Sequence, residues 1–140
     1  MLKTILVALD SSDLSQRVIQ SLDELQIQRA TKIILAHVIL SPESDMETVV
    51  DRPHTSEELL YRHTEKQLQS YQADLPCESE LEIVRGDPAV EIIRLAHIHQ
   101  ADLIVIGTRG LTGLKRILEG SVSSQVVADA PCSVLVVKAD

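Results

Sequence analysis

Aromatic residues are nearly missing from this chain: it has two tyrosines, Tyr61 and Tyr71, and no phenylalanine or tryptophan. Its core must therefore be built from Leu, Ile, Val and Ala. Proteins that hold single-stranded nucleic acid stack bases on aromatic faces, and almost none are present here. Positive charge is also scarce. There are 13 Lys and Arg against 21 Asp and Glu, a formal net charge of −8. Such an average field repels a polyphosphate backbone, so DNA and RNA are excluded as main partners. Cysteine is limited to Cys77 and Cys132, which are far apart and form no C-x-x-C pair. That excludes a disulfide scaffold and favours reduced thiols. No apolar run reaches the length of a membrane span. The first run, Ile5–Leu9, is shorter than a signal-peptide core and ends on Asp10. A cytoplasmic chain with no membrane partner is expected.

What is present is ordinary for a folded domain. Hydrophobic residues make up 44% and charged residues 24% of 140 residues, which suits one domain over residues 1–140 with a real core. Short apolar runs alternate with longer amphipathic stretches. Thr4–Leu9 reads as strand one. Ser11, Ser12 and Asp13 offer helix caps, and Leu14, Val18, Leu22 and Leu25 follow at helical spacing, predicting a helix over Asp13–Arg29. Lys32–Leu40 is strand two, and Ser41–Thr55, with Pro42 and Pro53, reads as a long loop. A second helix places Leu60, Leu68, Tyr71 and Leu75 on one face. Glu78–Val84 is strand three, where polar and apolar residues alternate as at a sheet edge. Gly86-Asp87-Pro88 turns into helix three, with Val90, Ile93 and His97 along one side. Asp102–Ile106 is strand four, Ser121–Asp129 the last full helix, and Ser133–Val137 strand five after Pro131. Strands alternating with helices predict an α/β fold, a parallel sheet with right-handed crossovers and helices on both faces. Ligands of such sheets sit at the carboxyl ends of the strands, where the winding reverses.

Chemistry concentrates between strand four and the helix after it. Gly107, Gly110, Gly113 and Gly120 are four of the chain's five glycines. Glycine lets backbone approach a ligand closely. Gly120-Ser121 then opens a helix, whose first N–H groups and positive dipole end form an anion site. Ser121, Ser123 and Ser124 add hydroxyl donors. Arg109, Lys115 and Arg116 put local positive charge into an acidic chain, with no carboxylate until Glu119. The same residues also suit a capped helix with a solvated basic face, and physics alone weighs the two evenly. Neither G-x-x-x-x-G-K-[ST] nor G-x-G-x-x-G occurs. Asp10 ends a buried strand at the ligand edge, a position that favours ligand contact over simple helix capping.

The spacing G-x-x-G, nine residues, then G-[ST] is met at Gly107, Gly110, Gly120 and Ser121. With Ile5–Asp10, His37-Val38, Val84-x-Gly86-x-Pro88 and Pro131-Cys132-x-Val134, it resembles the ATP-binding pattern of the universal stress protein family along the whole chain. That resemblance implies a five-stranded parallel sheet in the order 3-2-1-4-5. It implies that Asp10 contacts the ribose and adenine side and that the backbone of Val38 reads the adenine. Gly107, Thr108, Arg109, Gly110, Gly120, Ser121, Val122 and Ser123 correspond to the loop that holds the phosphates. It also implies ATP, with ADP and AMP left open, accompanied by Mg2+ or Mn2+, and a homodimer paired through Ser133–Val137. Thr108-Arg109 stand where family members often carry Ser-His, and Ser133 stands where proline is frequent; neither change removes a backbone donor.

The remaining reactive side chains add little. His97 and His99 are two apart on a helix and cannot chelate together. His37 reads as a strand-end residue, and His54 and His63 as solvated. In the implied order Cys77 and Cys132 lie at opposite sheet edges, about 19 Å apart at the usual strand spacing, beyond disulfide reach. Three functions compete: a nucleotide-responsive regulatory module, an ATP-using enzyme, and a nucleotide-free interaction protein. Adenylating relatives of this fold type carry S-G-G-x-D-S after strand one or an H-x-x-H motif. This chain has Asp10-Ser11-Ser12-Asp13-Leu14-Ser15 and no H-x-x-H, and no base–nucleophile pair is evident. The intact glycine pattern argues against the third. The first is the expectation.

Overall fold

The computed structural model describes residues 2–9, 13–40, 54–108 and 122–138. Five strands, β1 (Thr4–Ala8), β2 (Lys32–Leu40), β3 (Glu78–Gly86), β4 (Leu103–Thr108) and β5 (Ser133–Lys138), form one sheet in the order β3-β2-β1-β4-β5. Every pairing is parallel. Helices α1 (Asp13–Glu24), α2 (His54–Gln72) and α3 (Pro88–Ile98) make the crossovers, and α4 covers residues 122–129.

The period-two alternation of each strand divides the core. Ile5, Val7, Ile33, Leu35, Leu103 and Val105 face α1 and α2, meeting Val18, Leu22 and Leu68. Leu6, Ile34, Ala36, Ile104 and Ile106 face α3 and α4, meeting Ile92, Leu95 and Val126. The central strands are buried on both sides, which is why they read as unbroken apolar runs. Burying one such side chain fully contributes about 1.5–3 kcal/mol.

Several boundaries differ from the sequence reading. Helix α1 stops at Glu24, five residues short of Arg29. The N–H groups of Leu25 and Gln26 donate to the carbonyls of Leu22 and Asp23 at 3.1 and 3.3 Å, and Gln26 turns to φ 51°. A left-handed residue ends the helix so that the chain can reach β2. Strand β1 ends at Ala8, although the Leu9 N–H still donates to the Ala36 carbonyl at 2.8 Å. Strand β3 continues to Gly86 because Ile39 and Leu40 supply partners for Arg85 and Gly86. Strand β4 likewise runs past Ile106 to Thr108, paired with Val137 and Lys138. Asp102 stands before β4, where its carboxylate accepts the N–H groups of Lys3 and Thr4 at 2.9 and 3.0 Å. Helix α2 begins at His54, inside the expected loop; the rest of that loop lies outside the described residues.

Two helix faces turn differently from the expectation. In α2, Leu68 is buried but Leu60 is 46% exposed, and Thr64 takes the inward place. In α3 the buried residues are Ala89, Ile92, Leu95 and Ala96, while Val90 is 51% exposed. The start of α3 explains its rotation. Gly86 has φ +141°, and a Cβ there would lie 3.0 Å from Cγ of Glu91, so glycine is required. Asp87 then caps the helix by accepting the Val90 N–H at 3.0 Å, and Pro88 fills the first turn. This fixed entry turns Val90 outward.

Candidate functional site

The chain leaves β1 toward β2 on one face of the sheet and returns from β3 to β4 on the other. The winding therefore reverses between β1 and β4, and sheets of this kind bind ligands at the carboxyl ends of the strands where that reversal falls. Ala8, the last residue of β1, pairs with both Ala36 and Ile106, so β2 and β4 run on past the end of β1, to Leu40 and Thr108.

The end of β1 is held twice by β2. Its Leu9 N–H donates to Ala36, and the Leu9 carbonyl accepts from Nδ1 of His37 at 2.8 Å. A carbonyl only accepts, so Nδ1 carries the proton. This clasp holds the backbone at Leu9 against β2. Sequence reasoning placed His37 at the end of its strand without this role. The available signal was a lone polar side chain inside the apolar run Lys32–Leu40.

Of the expected site residues, Val38 is half-buried near the end of β2 and pairs with Val84. Gly107 is half-buried and pairs with Val137; Thr108 closes β4 opposite Lys138. Val122 opens α4. Ala8, Val38 and Val122 all pack against the same apolar cluster, which includes Ala36 and Ile106. The fold thus gathers Val38, Gly107 and Val122 from three distant segments at one edge. Ser123 is 5% exposed and has a partner within the chain; Ser124 is exposed. Asp10, Arg109, Gly110, Gly120 and Ser121 lie outside the described residues, as do Lys115, Arg116 and Glu119. Half-buried aliphatic groups at the carboxyl edge of such a sheet suit the flat apolar face of a base. Backbone emerging at a half-buried glycine suits close approach of an anion.

Among the described residues, no group of three or more His, Cys, Asp or Glu could hold a metal ion, and no helix is long and apolar enough to cross a membrane. Cys77 and Cys132 are free, and partial burial raises the pKa of both thiols, which makes them poor nucleophiles at neutral pH.

Sheet order and crossover pattern define a doubly wound, Rossmann-like α/β protein. The model of the universal stress protein family matches residues 1–138, and the chain belongs to that family. A universal stress protein of Thermus aquaticus is 35% identical over 144 residues, covering 99% of this chain and 100% of the relative. One of Methanocaldococcus jannaschii is 56% identical over 57 residues, a match spanning 41% of this chain and 34% of the relative. Among solved structures, a hypothetical protein whose biochemical function was assigned from its structure superposes with TM-score 0.81 at 28% identity, covering 99% of this chain and 96% of the other. A universal stress protein in complex with cAMP gives 0.71 at 24% identity, with 98% and 97% covered. The universal stress protein of Archaeoglobus fulgidus in complex with dAMP gives 0.67 at 24% identity, with 97% and 98% covered.

Proposed function

We propose that this universal stress protein is a regulatory module that binds an adenine nucleotide, ATP foremost, at the carboxyl edge between β1, β2 and β4. The observation that carries the reading is that half-buried Ala8, Val38 and Val122 pack against one apolar cluster whose β4 member Ile106 is followed directly by Gly107. The cAMP and dAMP complexes of similarly folded proteins support an adenine nucleotide as the ligand class. In this reading Ala8, Val38 and Val122 bear on the base, and Asp10 contacts the ribose side. The loop from Gly107 to Ser121 holds the phosphates with backbone N–H groups, helped by Arg109. A Mg2+ or Mn2+ ion accompanies the triphosphate and neutralises part of its charge. The nucleotide acts as a bound signal. Backbone donors and cations grip a triphosphate without activating water, and fast hydrolysis needs a positioned base or water-orienting residue. The state is passed on through a cytoplasmic homodimer that pairs β5 with its twin.

The test has two arms. Binding to the native state alone stabilises the fold by about 2.7 kcal/mol at a hundredfold excess over Kd. Thermal melts should therefore rise clearly with saturating Mg-ATP and rise less with GTP. Gly120→Val should abolish that shift while leaving the apo melt nearly unchanged, because its change falls in a connecting segment. Phosphate release should stay far below the ~1–10³ s⁻¹ usual for enzymes. Equal ATP affinity in the variant overturns the site. Turnover in the enzyme range, lost on mutating Glu119 or Asp10, overturns the signalling role.

A further inference from the structure

At the opposite edge of the sheet, α1 and α2 lie side by side on one face. Both run against the strands, so both end at the amino edge. Between their last turns is an open groove of 690 Å³, within the range of small-molecule sites. Its lining is mixed: Leu22 is 2% exposed, Ile19, Ile27 and Leu75 are half-buried beside Tyr71, one of only two aromatic residues in the chain, and three glutamines and Ser70 supply neutral polar groups. Asp23 lines it from α1, and Asp74 lines it just beyond α2; both are exposed. No lysine, arginine or histidine lines the groove among the described residues.

The backbone adds to this imbalance. Neither α1 nor α2 carries a basic residue in its last turn. Each helix therefore presents an uncompensated negative dipole end to the same space. Two helix ends and two carboxylates beside these aliphatic side chains are complementary to a cation with an apolar body. A neutral ligand would leave that field unanswered, and an anion would be repelled by it.

We propose that this groove binds a small organic amine, with its ammonium group toward Asp23 and Asp74 and its alkyl chain over Ile19, Leu22, Ile27 and Leu75. The site is separate from the nucleotide edge and does not depend on it. Methyl NMR of the full chain, titrated with hexylammonium, tests it; hexanol serves as the neutral isostere. Saturable shifts are expected at the methyls of Ile19, Leu22, Ile27 and Leu75, with Kd below about 1 mM. Asp23→Asn with Asp74→Asn should weaken hexylammonium at least tenfold and leave hexanol, the weaker ligand, unchanged. In the wild type, 1 M salt should weaken the amine comparably by shortening the screening length to about 3 Å. Equal affinity of the amine for wild type and double variant overturns the proposal, as do shifts centred elsewhere or insensitivity to salt. A lysine-bearing helical peptide that occupies the same methyls more tightly than hexylammonium would replace the free amine by a protein partner and overturn it too.

Discussion

Both outer strands of the sheet have one unpaired side, yet they are furnished differently. Strand β3 alternates Glu78, Glu80 and Glu82 with Ser79, Leu81 and Ile83. Two of these carboxylates are engaged: Lys32 pairs with Glu80, and Nε2 of His99 meets Glu82 Oε2 at 2.6 Å. Strand β5 runs Val134-Leu135-Val136-Val137 without a charge until Lys138. A row of carboxylates deters a second chain from adding to the sheet, whereas a bare aliphatic edge invites one. The two edges therefore have opposite prospects, β3 to remain a boundary and β5 to become an interface. Both are set against a centre, β1 and β2, that is buried on either side.

The largest effect should come from that centre, which sets the scale for both edges. Ile34 is 0% exposed on β2, so Ile34→Ala should cost about 2–5 kcal/mol in urea unfolding. A loss below 1 kcal/mol would mean that the sheet core is looser than its burial implies. At β5, Leu135→Pro removes a backbone donor and strains the strand. If the edge pairs with its twin, analytical ultracentrifugation should show a wild-type dimer that this variant shifts to monomer. A wild type that sediments as a monomer at micromolar concentration would put the two edges in the same class.

The smallest effect belongs to β3, where it shows as pH dependence. The hydrogen bond from the Lys32 ammonium holds the Glu80 carboxyl below its ordinary pKa. A group with a lowered folded pKa stabilises above its unfolded value of about 4.3 and loses that contribution as pH falls through the folded value. Lys32 is shifted up by the same bond, so its share is full below its unfolded pKa and is lost as pH rises through the raised value. Glu80→Gln should slightly flatten the acid loss of stability and leave the midpoint at neutral pH nearly unchanged, since exposed pairs contribute little. The Asp102 carboxyl is also lowered, by the N–H groups of Thr4 and Lys3. Asp102→Asn should flatten the same acid window. An acid profile identical to wild type in both variants would show that these carboxylates do not couple folding to protons.

Most of the fold was legible in the sequence because strand and helix periods are local. Lys32–Leu40 was read to the residue, and Pro88 was placed in the first turn of its helix. The ends were less legible. Strand β3 reaches Gly86 only because β2 is long enough to supply partners. Of the candidate site, Val38, Gly107 and Val122 lie toward the carboxyl edge, and the other glycines of the spacing lie outside the described residues. The His37 clasp was not readable, since its partner Leu9 is 28 positions away.

The sequence by itself determined the α/β class, the alternation that sends Ile5 and Leu6 to opposite faces, and the glycine spacing, because each is a pattern of neighbours along the chain. Only the tertiary structure decided that Val90 and Leu60 turn outward, that His99 reaches Glu82, and that the last turns of α1 and α2 flank one groove with no cation in its lining among the described residues. Those outcomes depend on how remote segments are rotated and set side by side. Such rotation is fixed by packing across the sheet, which no local spacing encodes.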